Sequence, residues 1–188
     1  MSVQHVAEGI SPFLKELIED TPKGERIMHC LQCGSCGGSC PNSADMDHTP
    51  RKLFAMIMAN QRNEVLAANT QWCCVSCYLC TTRCPQEIPI TDLMYALKRM
   101  AIAEGKSGGT NAPALAKTFT DLVDRYGRSY ELGIAGLYHL LNRPVAMAKM
   151  GPMGLSMFAK GRMAILPTKI DKIDQLQAII NKARELSK

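Results

Sequence analysis

Eight of the nine cysteines stand in two runs that share one spacing. The first run reads CLQCGSCGGSCP over residues 30–41, and the second reads CVSCYLCTTRCP over residues 74–85. In each run two residues separate the first three cysteines, three residues precede the fourth, and a proline follows it. This is the spacing with which bacterial proteins ligate [4Fe–4S] clusters through cysteine thiolates. The repeat therefore predicts two such clusters.

The fourth cysteine of each run is expected to ligate a different cluster from the other three. Three cysteines spaced by two residues curl around one cubane, and the loop is too tight to bring the fourth to the same cubane. In proteins with two clusters, this fourth cysteine ligates the neighbouring cluster. The expected ligands are Cys30, Cys33, Cys36 and Cys84 for cluster 1, and Cys74, Cys77, Cys80 and Cys40 for cluster 2.

Zinc and redox-active thiols fit this pattern less well than iron–sulfur clusters. A structural zinc ion takes four ligands, usually from two C-x2-C pairs, and a run of three cysteines would leave one to spare. A catalytic C-x-x-C motif normally occurs once, on a thioredoxin-like strand and helix that the sequence does not contain.

Cys73 is the ninth cysteine, and it directly precedes Cys74. Only Cys74 has the two-residue spacing to Cys77, so we predict that Cys73 is not a ligand. The simplest role for Cys73 is that of a small buried hydrophobic residue beside Trp72. A role as an exchange ligand or a redox sensor is the alternative.

Composition and charge exclude several classes of protein. An odd number of cysteines argues against a framework of structural disulfides. No apolar run reaches the ~18 residues of a membrane span, and the N-terminus lacks the pattern of a signal peptide. We therefore expect a cytoplasmic protein with no transmembrane segment. The formal charge of +5 would fall to about +1 with two clusters bound by thiolates, and we expect no nucleic-acid partner.

Outside the cysteine runs, apolar residues recur at helical spacing, which predicts an all-α fold. Thr49 is expected to cap one helix, with Pro50 at its first position. Thr91 is expected to cap the next, which Gly105 ends. We predict an N-terminal helical segment over 1–24, a domain with both clusters over 25–105 and a helical extension over 106–188.

The helices of the extension follow GKSGGTNAP, residues 105–113, which predicts a flexible joint. A later stretch is rich in methionine, at Met147, Met150, Met153, Met157 and Met163. Methionine fills irregular gaps in cores and also forms adaptable docking surfaces, so core filling and partner docking both remain open. We expect Gly151, Pro152 and Gly154 to interrupt the helix in this stretch.

Two C-x2-C-x2-C-x3-C-P runs about 40 residues apart, with helices between and after them, resemble α-helical ferredoxins. Such modules occur in the iron–sulfur subunits of succinate dehydrogenase and fumarate reductase. We do not expect the additional [2Fe–2S] domain of the succinate dehydrogenase type before Cys30. The runs, the chain length and the helical extension are more similar to the HdrC family, the iron–sulfur subunits of heterodisulfide reductases. The motifs match over residues 30–100, and the remainder matches in length and helical character.

The resemblance implies an electron-transfer subunit of an oxidoreductase complex. In that family, HdrC lies between a flavin-containing HdrA-like flavoprotein and an HdrB-like catalytic subunit. The catalytic subunit reduces the CoM-S-S-CoB heterodisulfide in methanogenesis, and the larger complex can include a hydrogenase or a formate dehydrogenase. HdrB-like proteins have CCG motifs, whereas Val75 follows Cys73 and Cys74 here. We therefore expect no catalytic residue in this chain.

Two alternative functions remain open at this point. Related helical modules relay electrons in complexes that act on lactate, glycerol phosphate or reduced sulfur compounds. The second alternative is a redox sensor that carries clusters and uses Cys73 as its switch.

Overall fold

The computed structural model describes residues 10–142, 144–162 and 166–186, and over these ranges the chain is helical without a strand. The all-α fold class is therefore confirmed. The helices are α1 Pro12–Glu19, α2 Ser35–Gly38, α3 Pro50–Met58, α4 Arg62–Ala67, α5 Thr70–Cys73, α6 Leu79–Thr82, α7 Ile90–Ala103, α8 Ala112–Tyr126, α9 Glu131–Asn142, α10 Pro144–Ala159 and α11 Ile173–Leu186. Two 3-10 helices span Gly24–His29 and Ser43–Asp45. Contacts divide the chain into two compact units, residues 1–110 and 111–188.

Helices α1 and α3 each have a side-chain cap at the N-terminus. The Ser11 hydroxyl accepts a hydrogen bond from the Leu14 amide at the start of α1. The Thr49 hydroxyl accepts one from the Lys52 amide at the start of α3, and Pro50 occupies the first helical position. The predicted cap at Thr49 is confirmed. These caps satisfy amides that have no partner within the helix.

One apolar core holds the N-terminal unit together. Helix α7 contributes most to it, since its apolar residues recur every three or four positions and are buried. The fully buried large side chains of the core are Phe13, Leu17, Ile27, Leu53, Phe54, Ile57, Leu66, Ile88, Ile90, Leu93, Met94 and Leu97. The cysteine runs join these helices, so the core determines where the cysteines lie.

Helix α7 does not begin as the sequence predicted. It starts at Ile90, with Pro89 at the capping position and no side-chain cap. The proposed cap, Thr91, lies inside the first turn and is almost fully buried. Its hydroxyl is instead 3.4 Å from the Thr81 hydroxyl of α6. The prediction was wrong because burial of Thr91 against α6 outweighed its local preference for a cap.

The segment predicted as a flexible joint, residues 105–113, packs closely against its neighbours at Gly108. Gly108 has a φ of 59°, in the left-handed region that glycine adopts without strain. A Cβ atom there would lie 2.7 Å from the Ala68 carbonyl oxygen and 2.7 Å from the Trp72 ring. Glycine is therefore required for close approach to the segment before the second cysteine run.

The C-terminal unit contains α8 to α11. Asp124 connects α8 to α11. Its carboxylate pairs with Arg184, and its backbone carbonyl accepts a hydrogen bond from Gln177. Helix α10 continues through Pro152 to Ala159, so the expected interruption at Gly151, Pro152 and Gly154 is wrong. A proline costs a helix one hydrogen bond but does not always end it.

None of the described residues of α9 and α10 is buried. Met147, Met150, Met153 and Met157 are exposed by 37 to 56%, so these four do not fill a core in this structure. Met163 lies outside the described residues. Within the described ranges, no helix is both long and apolar enough to span a membrane.

Candidate iron–sulfur sites

The eight cysteines of the two runs line two cavities in the N-terminal unit. The first, cavity I, is lined by Cys30, Cys33, Cys36 and Cys84. The second, cavity II, is lined by Cys40, Cys74, Cys77 and Cys80. Each cavity thus brings together three cysteines of one run and the fourth cysteine of the other. The two cavities are similar in size.

The backbone of the two runs follows the same path. In the first run Gln32 and Gly34 have positive φ angles, and in the second Ser76 and Tyr78 occupy the equivalent positions with positive φ. A single helical turn follows in each run, α2 in the first and α6 in the second. The sequence repeat is therefore also a repeat of backbone conformation.

The same turn carries each fourth cysteine away from its own run. The Cys40 amide donates to the Gly37 carbonyl, and the Cys84 amide donates to the Thr81 carbonyl. In both runs the cysteine carbonyl then accepts a hydrogen bond from an amide three residues later. This pair of turns, with the proline next to each cysteine, brings Cys40 into cavity II and Cys84 into cavity I.

Apolar side chains form the wall between and behind the cysteines. Ile90, at the start of α7, lines both cavities. Phe54 and Ile88 add to cavity I, and Met94 adds to cavity II. All four side chains are almost fully buried. Apolar walls keep water away from a redox centre and so help to set its potential.

The pKa of a cysteine in these cavities depends on whether its thiol is buried or exposed. Burial raises the pKa of Cys36 to about 11 and also raises the pKa of Cys80. The Ser35 hydroxyl, 3.4 Å from the Cys33 sulfur, lowers the pKa of that exposed thiol. Metal ligation needs thiolates, so incorporation of a cluster must displace protons from the buried thiols.

The donor sets fit [4Fe–4S] clusters better than single ions. Four cysteines are a ligand set that cubane clusters and structural zinc share, but in a cubane each thiolate binds a different iron. The sulfurs of such a set surround the cluster instead of meeting at one point. Over the described part of the chain, no three His, Cys, Asp or Glu side chains converge on the position of a single metal ion.

Polar groups outside the cysteines distinguish the surroundings of cavity I. The Gln32 amide nitrogen donates to the Cys30 sulfur at 3.4 Å. Arg51 lines the cavity and donates to the Gln32 carbonyl at 3.4 Å. A hydrogen bond to sulfur and a nearby cation both favour added negative charge, so they stabilise the reduced form of a cluster.

Different residues surround cavity II. Lys98 of α7 donates to the Cys74 carbonyl at 3.1 Å, and the Tyr95 hydroxyl donates to the Ser76 hydroxyl at 2.6 Å. The Thr91 hydroxyl lies 3.8 Å from the Cys80 sulfur. Lys98 and Tyr95 thus attach the second run to α7.

Cys73 is not among the residues that line either cavity. Its thiol is 3.7 Å from the Asp45 carbonyl, and its own carbonyl accepts a hydrogen bond from Asn42. Burial, followed by the charges of Asp45 and Asp47, raises the pKa of Cys73. A raised pKa makes a thiol less reactive, which disfavours Cys73 as a redox switch.

Sequence reasoning did not identify Arg51 or Lys98 as residues of the sites. Both reach the sites from helices, so their positions depend on packing that spacing alone does not reveal.

A model of the family described as 4Fe-4S dicluster domain matches residues 26–88. The C subunit of the H(2):CoB-CoM heterodisulfide,ferredoxin reductase of Methanothermobacter marburgensis is 32% identical over 129 residues, which are 69% of this chain and 66% of that protein. The C subunit of the Ferredoxin:CoB-CoM heterodisulfide reductase of Methanosarcina mazei is 38% identical over 82 residues, which are 44% of this chain and 50% of that protein.

A third relative is the iron-sulfur C subunit of the CoB--CoM heterodisulfide reductase of Methanopyrus kandleri. It is 32% identical over 95 residues, which are 49% of this chain and 50% of that protein. The chain thus spans about half the length of the Methanosarcina mazei and Methanopyrus relatives. The similarity supports a common iron–sulfur module with these proteins.

Proposed function

We propose that this chain, which is similar to the HdrC subunits of heterodisulfide reductases, relays single electrons through two [4Fe–4S] clusters. It serves as the electron-transfer subunit of an oxidoreductase complex. The observation that carries the proposal is the sorting of eight cysteines into two cavities of four. The family match to a 4Fe-4S dicluster domain supports the nature of the occupant.

The proposed ligation is crossed. Cluster 1 would be held in cavity I and cluster 2 in cavity II. The ligands are Cys30, Cys33, Cys36 and Cys84 for cluster 1, and Cys74, Cys77, Cys80 and Cys40 for cluster 2. The exchange of Cys40 and Cys84 between the runs holds the two clusters close together, with Ile90 against both cavities. Cys73 remains outside both ligand sets.

Bound clusters supply reversible one-electron chemistry, and the chain determines where and how readily it takes place. The cysteines hold the irons, and Phe54, Ile88, Ile90 and Met94 exclude water from one side of the cavities. Gln32 and Arg51 favour negative charge at cavity I. The chain thus binds the clusters, shields them from water and tunes their potentials. Substrate chemistry takes place elsewhere in the complex.

The proposed partners are an HdrA-like flavoprotein and an HdrB-like protein that reduces the CoM-S-S-CoB heterodisulfide. The relatives' names refer to this heterodisulfide and, in two of them, to ferredoxin. Electrons would pass from the flavoprotein through the chain to the HdrB-like protein, in the cytoplasm. A hydrogenase or a formate dehydrogenase would supply the electrons in a larger complex.

The proposed role of residues 106–188 is to dock a partner protein. The support is the exposed apolar surface of α9 and α10, where Leu141, Val145 and Leu155 are 69 to 72% exposed. An exposed apolar surface of this kind commonly marks an interaction site. Lys149 and Lys160 are the only charged residues that lie within or directly after α10.

Anaerobic purification of the native complex tests the proposed function. We expect about eight irons per copy of this chain, together with a flavoprotein and a second cysteine-rich protein. Iron and flavin analysis and identification of the components provide the measurement. A chain that purifies alone with one cluster's worth of iron would contradict the proposal.

A further inference from the structure

Tyr78 has a backbone conformation that bulky residues rarely adopt. Its φ is 60° and its ψ is 4°, in the left-handed region. Gly34, the equivalent residue of the first run, has a φ of 83° and a ψ of 0°. The repeat therefore demands this conformation at both positions, and glycine meets the demand without strain. For a tyrosine the same conformation is an outlier.

Contacts with α7 maintain the strained conformation. The Tyr95 hydroxyl donates to Ser76, two residues before Tyr78, and Lys98 donates to the Cys74 carbonyl. On the other side, the Thr82 amide donates to the Tyr78 carbonyl at 3.0 Å. A strained residue that its surroundings hold in place indicates a functional requirement. Glycine would adopt this backbone conformation without strain, so the requirement concerns the tyrosine side chain.

The position of Tyr78 indicates what the side chain does. Tyr78 lines cavity II, yet 44% of its surface is exposed, so it lies between the cavity and solvent. Its neighbour Cys77 is exposed. At cavity I the equivalent Gly34 has no side chain, and the aliphatic stem of Arg51 lies 3.6 Å from where a Cβ atom would be. The first cavity thus has a charged residue beside this position and the second has a tyrosine.

We propose that Tyr78 is a shielding residue that restricts the access of water and oxidants to the cluster bound in cavity II. The inference rests on the proposed function, since it assumes a cluster held by Cys40, Cys74, Cys77 and Cys80. Reduction adds negative charge to the cluster, and a drier site disfavours that charge. Tyr78 therefore lowers the reduction potential of this cluster and slows its loss in air.

The test compares three variants of the full chain, loaded with clusters under anaerobic conditions. Tyr78→Gly removes the side chain and accepts the backbone conformation. Tyr78→Phe keeps the ring. Leu79→Ala removes a neighbouring side chain that is 42% exposed and is not among the residues lining cavity II. The measurements are the rate of bleaching in air, the potential of each cluster by EPR-monitored titration, and the thermal unfolding midpoint.

Tyr78→Gly is expected to bleach several-fold faster and to shift the potential of one cluster upward, without a fall in the unfolding midpoint. Tyr78→Phe and Leu79→Ala should behave like the parent chain. A shielding role is overturned if Tyr78→Gly leaves bleaching and both potentials unchanged, or if it acts only by lowering the unfolding midpoint. The proposed function fails separately, if the parent chain itself shows no second cluster.

Discussion

At the scale of single residues, the two cavities differ mainly in the groups that surround the sulfurs. Cavity I has a side-chain amide on the Cys30 sulfur and a guanidinium group in its wall. At cavity II, the polar contact to a cysteine sulfur is the Thr91 hydroxyl beside Cys80, and Lys98 donates to the Cys74 carbonyl without lining the cavity. Extra negative charge is therefore better tolerated at cavity I, and we expect the cluster there to have the higher reduction potential.

Removal of the Arg51 charge tests this difference. Arg51→Gln should lower the potential of one cluster, because the reduced form loses a favourable interaction with a cation. An exposed charge contributes about 0.2 to 1 kcal/mol, which for one electron corresponds to roughly 10 to 40 mV. EPR-monitored titration measures the shift, with Lys52→Gln as the control for a neighbouring exposed cation. Equal shifts of both clusters, or an upward shift, would contradict the assigned role of Arg51.

The sequence was sufficient to predict which residues meet at the cavities, since the spacing of the cysteines is a covalent property of the chain. It was not sufficient for Arg51 and Thr91, which line the cavities from helices after packing, or for Lys98, which reaches the Cys74 carbonyl. Thr91 shows the reason most clearly. A threonine before a helical stretch is a good cap in isolation, but here burial against Thr81 and Cys80 determines its position.

At the scale of helices, long periodic segments were predictable and single turns were not. Helices α1 and α3 each extend over two or more turns. Their cap residues and the spacing of their apolar residues are therefore visible in the sequence. Helices α2, α5 and α6 have four residues each, too few for periodicity to show. The path of α10 through Pro152 was also missed, because local breakers do not determine whether a helix ends.

Arg62 connects three helices of the N-terminal unit. Its guanidinium group pairs with Glu16 of α1 and, at 2.7 Å, with Glu104 at the end of α7. Lys106 pairs with Glu104 at 2.7 Å as well. Hydrogen bonds from Lys106 and then from Arg62 lower the pKa of Glu104 below its ordinary value of 4.5.

We therefore expect Arg62→Ala to lower the unfolding midpoint near neutral pH. The pKa of Glu104 is lower in the folded state than in the unfolded state, so its stabilising effect is complete above 4.5 and is lost as the pH falls through the folded pKa. The difference in unfolding midpoint between Arg62→Ala and the parent chain should therefore become smaller as the pH falls below 4.5. Thermal unfolding across pH measures it, with Lys117→Ala, which loses an exposed pair within α8, as the control. A difference that persists unchanged in acid would refute this explanation.

For the chain as a whole, the proposed crossed ligation would couple cluster binding to folding. Each cluster would join residues from both runs, so loss of iron would release contacts on both sides of α3. The extension after residue 110 forms its own compact unit. It has no cysteine, and its proposed role is to bind a partner.

Docking through α10 predicts a separable effect. Leu155→Ser should reduce the recovery of partner proteins with the chain, because it places a polar group on an apolar contact surface. Iron content and both EPR signals should stay unchanged. Ile102→Ser, at an exposed apolar residue of α7, is the matched control. Unaltered recovery of partners with Leu155→Ser would place the docking surface elsewhere.

Each cluster is proposed to take its fourth ligand from the other run, and EPR of single cysteine variants tests this crossed ligation. Cys33→Ser and Cys77→Ser identify the signals of clusters 1 and 2, and Cys73→Ser serves as a control that should leave both unchanged. We predict that Cys84→Ser changes the same signal as Cys33→Ser, and that Cys40→Ser changes the same signal as Cys77→Ser. If Cys84→Ser changes the signal that Cys77→Ser changes, each run binds its own cluster and the claim is wrong.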